Sequence, residues 1–133
     1  MNSYNKFGPF VPVATFAVFL LAGSLPTGAL ADHASFKNEI NPIFKKYCVE
    51  CHHPGGEGEK ASGLDLTSYE GVMKGTEYGP VVVPGDAFTS NLVVLIDGRA
   101  DPRISMPHGA RKGLTKWEKV MIRRWINRGA KNN

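Results

Sequence analysis

The residues whose types and spacing could do chemistry are concentrated in the segment Cys48-x-x-Cys51-His52, which holds the only two cysteines of the 133 residues. Side chains three residues apart on a helical turn point the same way, so both thiols can bond to one edge of a flat porphyrin. The imidazole of His52 follows where it can reach the iron. This spacing is the attachment sequence of c-type haem, and it predicts one covalently bound haem c with His52 as an iron ligand.

Other uses of paired cysteines fit the surrounding sequence less well. A redox-active dithiol of the thioredoxin kind needs a βαβ setting, whereas an amphipathic helical pattern leads into Cys48. A zinc site could combine the cysteines with two of His52, His53 and His108, but the usual second pair of closely spaced ligands is missing. A disulfide between Cys48 and Cys51 would close a very short ring and stabilise little.

The methionines are candidates for the second axial position of the iron. Met106 lies in a segment rich in glycine and proline, and Pro107 stiffens the backbone beside it. Thioether ligation raises the reduction potential relative to a second histidine. We therefore predict Met106 as the sixth ligand, with His108 as the competing candidate. Met73 and Met121 are expected to pack in the core.

An amphipathic helix over residues 36–47 is predicted to lead into the first cysteine, because its apolar side chains recur at helical spacing. Ser35 can cap its start. Pro42 has no backbone donor, which leaves two alternatives: a helix kinked at Pro42, or a shorter helix capped by Asn41 with the proline in first position. The apolar stripe consists of Phe36, Ile40, Ile43, Phe44 and Tyr47.

Glycine and proline divide the middle of the chain into short segments. Residues 53–63 are predicted to form a polar, glycine-rich loop, and residues 75–86 an extended buried segment with the character of a rudimentary strand. Thr67 or Ser68 can cap a short helix that Gly75 ends.

Two further elements are expected before the C-terminus. Asp86 can cap a helix that ends near Gly98, and the long loop over residues 99–114 is of a length that usually has a function in a small domain. The apolar side chains of that helix are Phe88, Leu92, Leu95 and Ile96.

The last helix has the clearest start in the sequence, a capping box formed by Thr115 and Glu118. Its predicted apolar face has side chains at intervals of four residues and others beside them: Trp117, Met121 and Trp125, with Val120, Ile122 and Ile126. Gly129 lies where a glycine commonly ends a helix.

Residues 1–31 have the order of a secretory signal peptide, with Lys6 near the start, the apolar stretch Val11–Leu25 and the small-residue run Ala29-Leu30-Ala31. The apolar stretch is short for a membrane span and is interrupted by proline and glycine. We predict cleavage after Ala31, a mature chain of residues 32–133, and a periplasmic or otherwise exported protein. A retained segment would instead anchor the protein to a membrane.

Charge is distributed unevenly along the chain. Residues 32–98 hold 5 Lys or Arg and 10 Asp or Glu, whereas residues 99–133 hold 10 and 2. A basic segment can bind nucleic acid, but an exported protein rarely meets it, so we expect a docking face for an acidic protein partner. A solvated helix face is the alternative. The residues concerned are Arg111, Lys112, Lys116, Lys119, Arg123 and Arg124.

From about Phe36 to Ala130 the sequence resembles the c-type cytochromes, and more narrowly the planctomycete-type cytochrome c domain. That family favours a second proline where this chain has His108. The resemblance rests on Ile40-x-Pro42-Ile43-Phe44 before Cys48-x-x-Cys51-His52, on Gly63-Leu64-x-Leu66, on Val83-Pro84-Gly85-Asp86 with Ser90-x-Leu92, on Met106-Pro107 with Leu114-Thr115, and on Trp125-Ile126-x-x-Gly129-Ala130.

The resemblance implies a small all-α cytochrome c fold of three to four helices around one haem, with long loops and with the N- and C-terminal helices packed together. It implies that Cys48 and Cys51 bind the haem, that His52 is the proximal ligand and that Met106 is the distal one. The implied function is transfer of single electrons between redox proteins, without catalysis. The alternatives are a haem enzyme or a gas or peroxide sensor with a displaceable sixth ligand, and a fixed electron-transfer subunit of a respiratory or dehydrogenase complex.

Overall fold

The structure is a computed structural model, and it describes residues 34–108 and 112–133. The predicted signal peptide, residues 1–31, and Arg111 lie outside these ranges. Within them the chain is helical and holds no strand, which confirms the all-α class, although with more helices than predicted. The elements are a π-helical turn (Phe36–Ile40), α1 (Asn41–Tyr47), α2 (Glu57–Ser62), α3 (Tyr69–Lys74), α4 (Asn91–Ile96), a 3₁₀ turn (Pro102–Ile104) and α5 (Lys116–Asn127).

The first helix passes through Pro42 by means of the π-helical turn. Ser35 caps the turn as predicted, since its hydroxyl accepts from the N–H of Asn38 at 3.2 Å. The N–H groups of Ile40 and Asn41 then donate to carbonyls five residues earlier, and a wider turn of this kind distorts a helix locally. Of the two alternatives, the structure therefore favours a helix distorted at the proline over a cap by Asn41, because Asn41 is itself helical.

The loop predicted over residues 53–63 is wrong in its second half, where α2 forms. Glu57 and Glu59 occupy its first turn and suit the positive end of the helix dipole. Gly63 ends the helix in the left-handed conformation, with φ of 73°. None of its residues is buried, so α2 has no apolar stripe from which a sequence pattern could predict it.

α3 begins and ends as predicted. The Ser68 hydroxyl accepts from the N–H of Gly71 at 3.0 Å, and Gly75 ends the helix with φ of 79°. In the segment that follows, Val81 and Val82 are buried. That segment forms no strand; the described residues contain one isolated bridge, between Thr76 and Gly79.

α4 begins after Ser90, four residues later than predicted. Asp86 instead closes a tight turn, because its carboxylate accepts from the N–H groups of Phe88 and Thr89 at 2.9 and 3.1 Å. The expectation that Phe88 packs inward is wrong, since its side chain is 75% exposed.

α5 begins at the predicted capping box and packs against the π-helical turn. The ring centroids of Phe36 and Trp125 are 5.5 Å apart, which confirms that the first and last helices are in contact. The predicted apolar face is confirmed for four of its residues and wrong for Trp117 and Val120, which are 60% and 44% exposed, and Glu118 lies inward. The other buried residues of α5 are Met121, Ile122, Trp125 and Ile126.

No helix in the described ranges combines the length and the apolar character needed to cross a membrane.

Candidate haem-binding site

An apolar cavity of about 480 Å³ lies beside the cysteine motif. This volume is within the range of about 300–1,000 Å³ that small-molecule and cofactor pockets occupy. Cys48, Cys51, His52 and Met106, the four residues predicted from the sequence, all line it. Much of the remaining wall is aliphatic, from Leu64, Leu66, Val81, Leu92 and Leu95.

The motif reaches the cavity because the helical path continues past the end of α1. The N–H of Cys48 donates to the Phe44 carbonyl at 2.8 Å, and the N–H groups of Cys51 and His52 donate to the Cys48 carbonyl at 3.1 and 2.9 Å. These turns place both thiols and the imidazole on one wall, the arrangement expected from their spacing.

The orientation of the His52 ring is set by the segment after α2. Nδ1 lies 3.3 Å from the Leu64 carbonyl oxygen, so Nδ1 carries the proton and Nε2 is the nitrogen available to a metal. Burial lowers the pKa of His52, against the opposing effect of the Leu64 carbonyl, and the nearby His108 lowers it further. The imidazole is therefore held neutral, the form that binds metal ions.

Gly58 of α2 lies directly against this ring. A Cβ atom at position 58 would come within 2.7 Å of Cε1 and 2.8 Å of Nδ1, closer than packed atoms approach. A glycine in a helix interior costs about 1 kcal/mol relative to alanine, and here it lets the α2 backbone cover the imidazole. The sequence pattern does not single out Gly58, because its only signal is a glycine inside a helix that no apolar spacing predicts.

The two cysteines form no disulfide, and the first of them lacks the lowered pKa of a reactive thiol. Burial, and to a lesser extent the neighbouring Cys51, raises the pKa of the Cys48 thiol to about 12, whereas reactive dithiols depend on a lowered pKa. The zinc alternative also lacks support, because residues 34–108 and 112–133 contain no group of three or more His, Cys, Asp or Glu side chains suited to a metal ion.

Both candidates for the distal ligand also line the cavity. Met106 is half-buried, and its N–H donates to the Leu95 carbonyl of α4 at 3.3 Å, which ties the loop to the core. His108 is exposed and lines the same cavity. The structure thus brings both side chains to the site predicted for them, and the choice of Met106 as iron ligand stays a prediction.

Residues 48–108 match the family model of planctomycete cytochrome C. Over these residues the chain is similar to the planctomycete cytochrome C family. The match begins at Cys48 and ends at His108, so it contains every residue predicted for the haem site. No curated protein and no solved structure matches the chain.

A cytochrome c domain is a haem-binding, electron-transfer type of domain, and the residues of this cavity fit a covalently attached haem. The walls are apolar, two thiols are adjacent on one side, and a neutral imidazole and a thioether line the same space. These are the donor groups that c-type haem requires.

The predicted basic face is partly neutralised within the domain. Lys112 and Lys116 are exposed, whereas Arg123 and Lys119 lie 2.5 and 3.9 Å from the Asp97 carboxylate. Of the predicted docking residues that the structure describes, none lines the cavity. These charged side chains therefore lie outside the cavity lining.

Proposed function

We propose that this protein is an exported single-haem cytochrome c that carries single electrons between redox proteins, with His52 and Met106 as the axial ligands. The observation that carries the proposal is the convergence of both thiols, the imidazole and the thioether on one apolar cavity. The family match over the same residues supports it independently.

Haem bound in this cavity would supply a one-electron couple between ferric and ferrous iron. The chain contributes rigidity: Cys48 and Cys51 would hold the porphyrin through thioethers, and the Leu64 carbonyl fixes the imidazole of His52. With Met106 filling the sixth position, electron exchange needs no change of ligand. The aliphatic walls disfavour the additional charge of the ferric state and so favour a higher potential.

The redox partner would dock at the mouth of the cavity, guided by the basic residues of the C-terminal segment. The lining residues Tyr78 and Ile104 are 83% and 52% exposed, which gives the mouth an apolar rim. Lys112 and Lys116 are exposed and carry charge of the sign that attracts an acidic protein. We therefore propose an acidic protein partner rather than nucleic acid.

Export is supported by the signal-like pattern of residues 1–31. The mass of the intact protein, purified from a host that matures c-type cytochromes, tests this together with the cofactor. We expect the loss of residues 1–31 and the gain of one haem. A colourless protein with both thiols unmodified would refute the proposed function, and a retained N-terminal segment would refute export with cleavage.

Absorption spectra of the oxidised and reduced protein test the ligands. We expect low-spin ferric iron with the weak methionine-to-iron band near the red edge, lost in Met106→Ala and retained in the matched variant His108→Ala. Loss of the native ligand field in His108→Ala alone would show that the distal assignment is wrong. High-spin ferric iron that binds carbon monoxide readily would instead support a haem enzyme or a sensor with an open sixth position.

A further inference from the structure

The N-terminus of α5 and the end of α1 are joined by a buried carboxylate. Glu118 is 7% exposed. Its Oε2 atom accepts from the Tyr47 hydroxyl at 2.9 Å and from the N–H and hydroxyl of Thr115 at 2.7 and 2.8 Å. Its Oε1 atom accepts from the Lys46 ammonium at 3.1 Å.

This arrangement is more than a helix cap. A capping box requires only Thr115 and Glu118, and it forms readily at an exposed helix end. Here the carboxylate is removed from water and bonded to two consecutive residues of α1, which is costly unless donors replace the lost hydration. Burial raises the pKa of Glu118, but the hydrogen bonds from Thr115, Lys46 and Tyr47 outweigh it and hold the pKa at about 2.

Tyr47 connects this cluster to the cavity. It directly precedes Cys48, and its side chain is part of the cavity lining. The Lys46 ammonium lies 4.7 Å from the centroid of the Tyr47 ring, so the ring is held by its hydroxyl and by a cation over its face. One aromatic side chain therefore spans the distance between the buried carboxylate of α5 and the wall beside the first attachment cysteine.

We propose that Glu118 is a positioning residue for the haem, which acts by holding the Tyr47 ring in place as part of the cavity wall. This inference rests on the proposed function. When the hydroxyl of Tyr47 loses its acceptor, only the Lys46 cation still holds the ring, so the ring turns more easily and admits water beside Cys48. A more polar wall stabilises ferric iron relative to ferrous iron, so the midpoint potential falls.

The test uses the haem-loaded full chain and the variant Tyr47→Phe, which removes one hydroxyl and keeps the ring, the capping box and the pair between Lys46 and Glu118. Thr115→Val is the matched control, since it weakens the cap and leaves the Tyr47 bond in place. We expect both variants to unfold at a lower temperature than the wild type. Only Tyr47→Phe should lower the midpoint potential and change the circular dichroism of the Soret band.

A Tyr47→Phe protein with the midpoint potential and Soret dichroism of the wild type would overturn the inference. Equal changes of both quantities in Thr115→Val would also overturn it, because the stability of α5 alone would then account for them. If Tyr47→Phe does not mature, Glu118→Gln replaces it. Soret dichroism is then the readout, because loss of the charge shifts the potential by itself. A wild-type chain without haem would refute the proposed function. A haem-loaded chain whose midpoint potential and Soret dichroism do not change in Tyr47→Phe would refute this inference alone.

Discussion

Gly58→Ala should destabilise the protein, although alanine in place of glycine usually stabilises a helix. In an ordinary helix interior, alanine in place of glycine stabilises by about 1 kcal/mol. Here the new methyl group would lie 2.7–2.9 Å from three atoms of the His52 ring. The ring has little room to move, because it is 9% exposed and its Nδ1 is bonded to the Leu64 carbonyl.

The size of the effect follows from comparing these terms. Forcing a methyl group into a packed contact costs about 1–3 kcal/mol, and losing the hydrogen bond to Leu64 costs about 1 kcal/mol more. These losses exceed the helix-propensity gain of about 1 kcal/mol, so Gly58→Ala should destabilise the protein by roughly 1–3 kcal/mol. In a domain of this length, 1 kcal/mol lowers the melting temperature by about 4–8 °C.

Thermal unfolding of the haem-loaded protein measures the loss, and the absorption spectrum reports whether His52 still binds the iron. Gly113→Ala is the matched control, because no atom lies within 4 Å of its added Cβ; it should be neutral or slightly stabilising. A Gly58→Ala protein that melts higher than the wild type, with an unchanged spectrum, would refute the contact between α2 and the imidazole.

Three further predictions concern the charged groups. The folded-state pKa of Glu118, about 2, is below its ordinary value of 4.5. Its contribution to the free energy of unfolding is therefore present above about pH 4.5 and is lost as the pH falls toward 2. Denaturant unfolding at several pH values should show that Glu118→Gln loses less stability in acid than the wild type does. Asp97→Asn should lower the free energy of unfolding by about 1–2 kcal/mol, because it weakens a charged hydrogen bond to Arg123 at a half-buried site. Urea unfolding measures this loss, and Asp101→Asn, at an exposed site, is the control. Replacing Lys112 and Lys116 by glutamine should slow electron exchange with an acidic redox protein at low salt, and stopped-flow rates that do not depend on ionic strength would contradict the steering role.

The parts of the fold that follow local rules could be predicted from the sequence. The caps at Ser35, Ser68 and Thr115 each depend on a side chain and a backbone N–H within three residues, so a short segment contains all the information. Cys48, Cys51 and His52 could likewise be predicted to lie together, because their spacing is chemically specific, whereas Met106 was predicted from its place beside Pro107 in a loop rich in glycine and proline.

Two of the predictions that are wrong concern α2 and the inward face of α5, whose positions depend on contacts between distant segments rather than on local sequence. α2 lacks a buried face, so no apolar period indicates it. The predicted inward face of α5 included Trp117, whereas Glu118 lies inward because Lys46 and Tyr47, more than 70 residues earlier, satisfy its carboxylate. A pattern that scores residues one helix at a time cannot include such a partner.

The hydrogen bonds around His52 fix the length of the segment that covers it. The N–H of Leu66 donates to the His52 carbonyl at 2.9 Å, while the ring of His52 bonds to the Leu64 carbonyl. The segment between His52 and Leu64 is thus held at both ends, and its length places Gly58 against the imidazole. A residue inserted into the helix before Gly58 would rotate it by about 100° and turn a side chain onto the ring. Substitution of the exposed Lys60 should therefore be tolerated, whereas a change of one residue in the length of this segment should not.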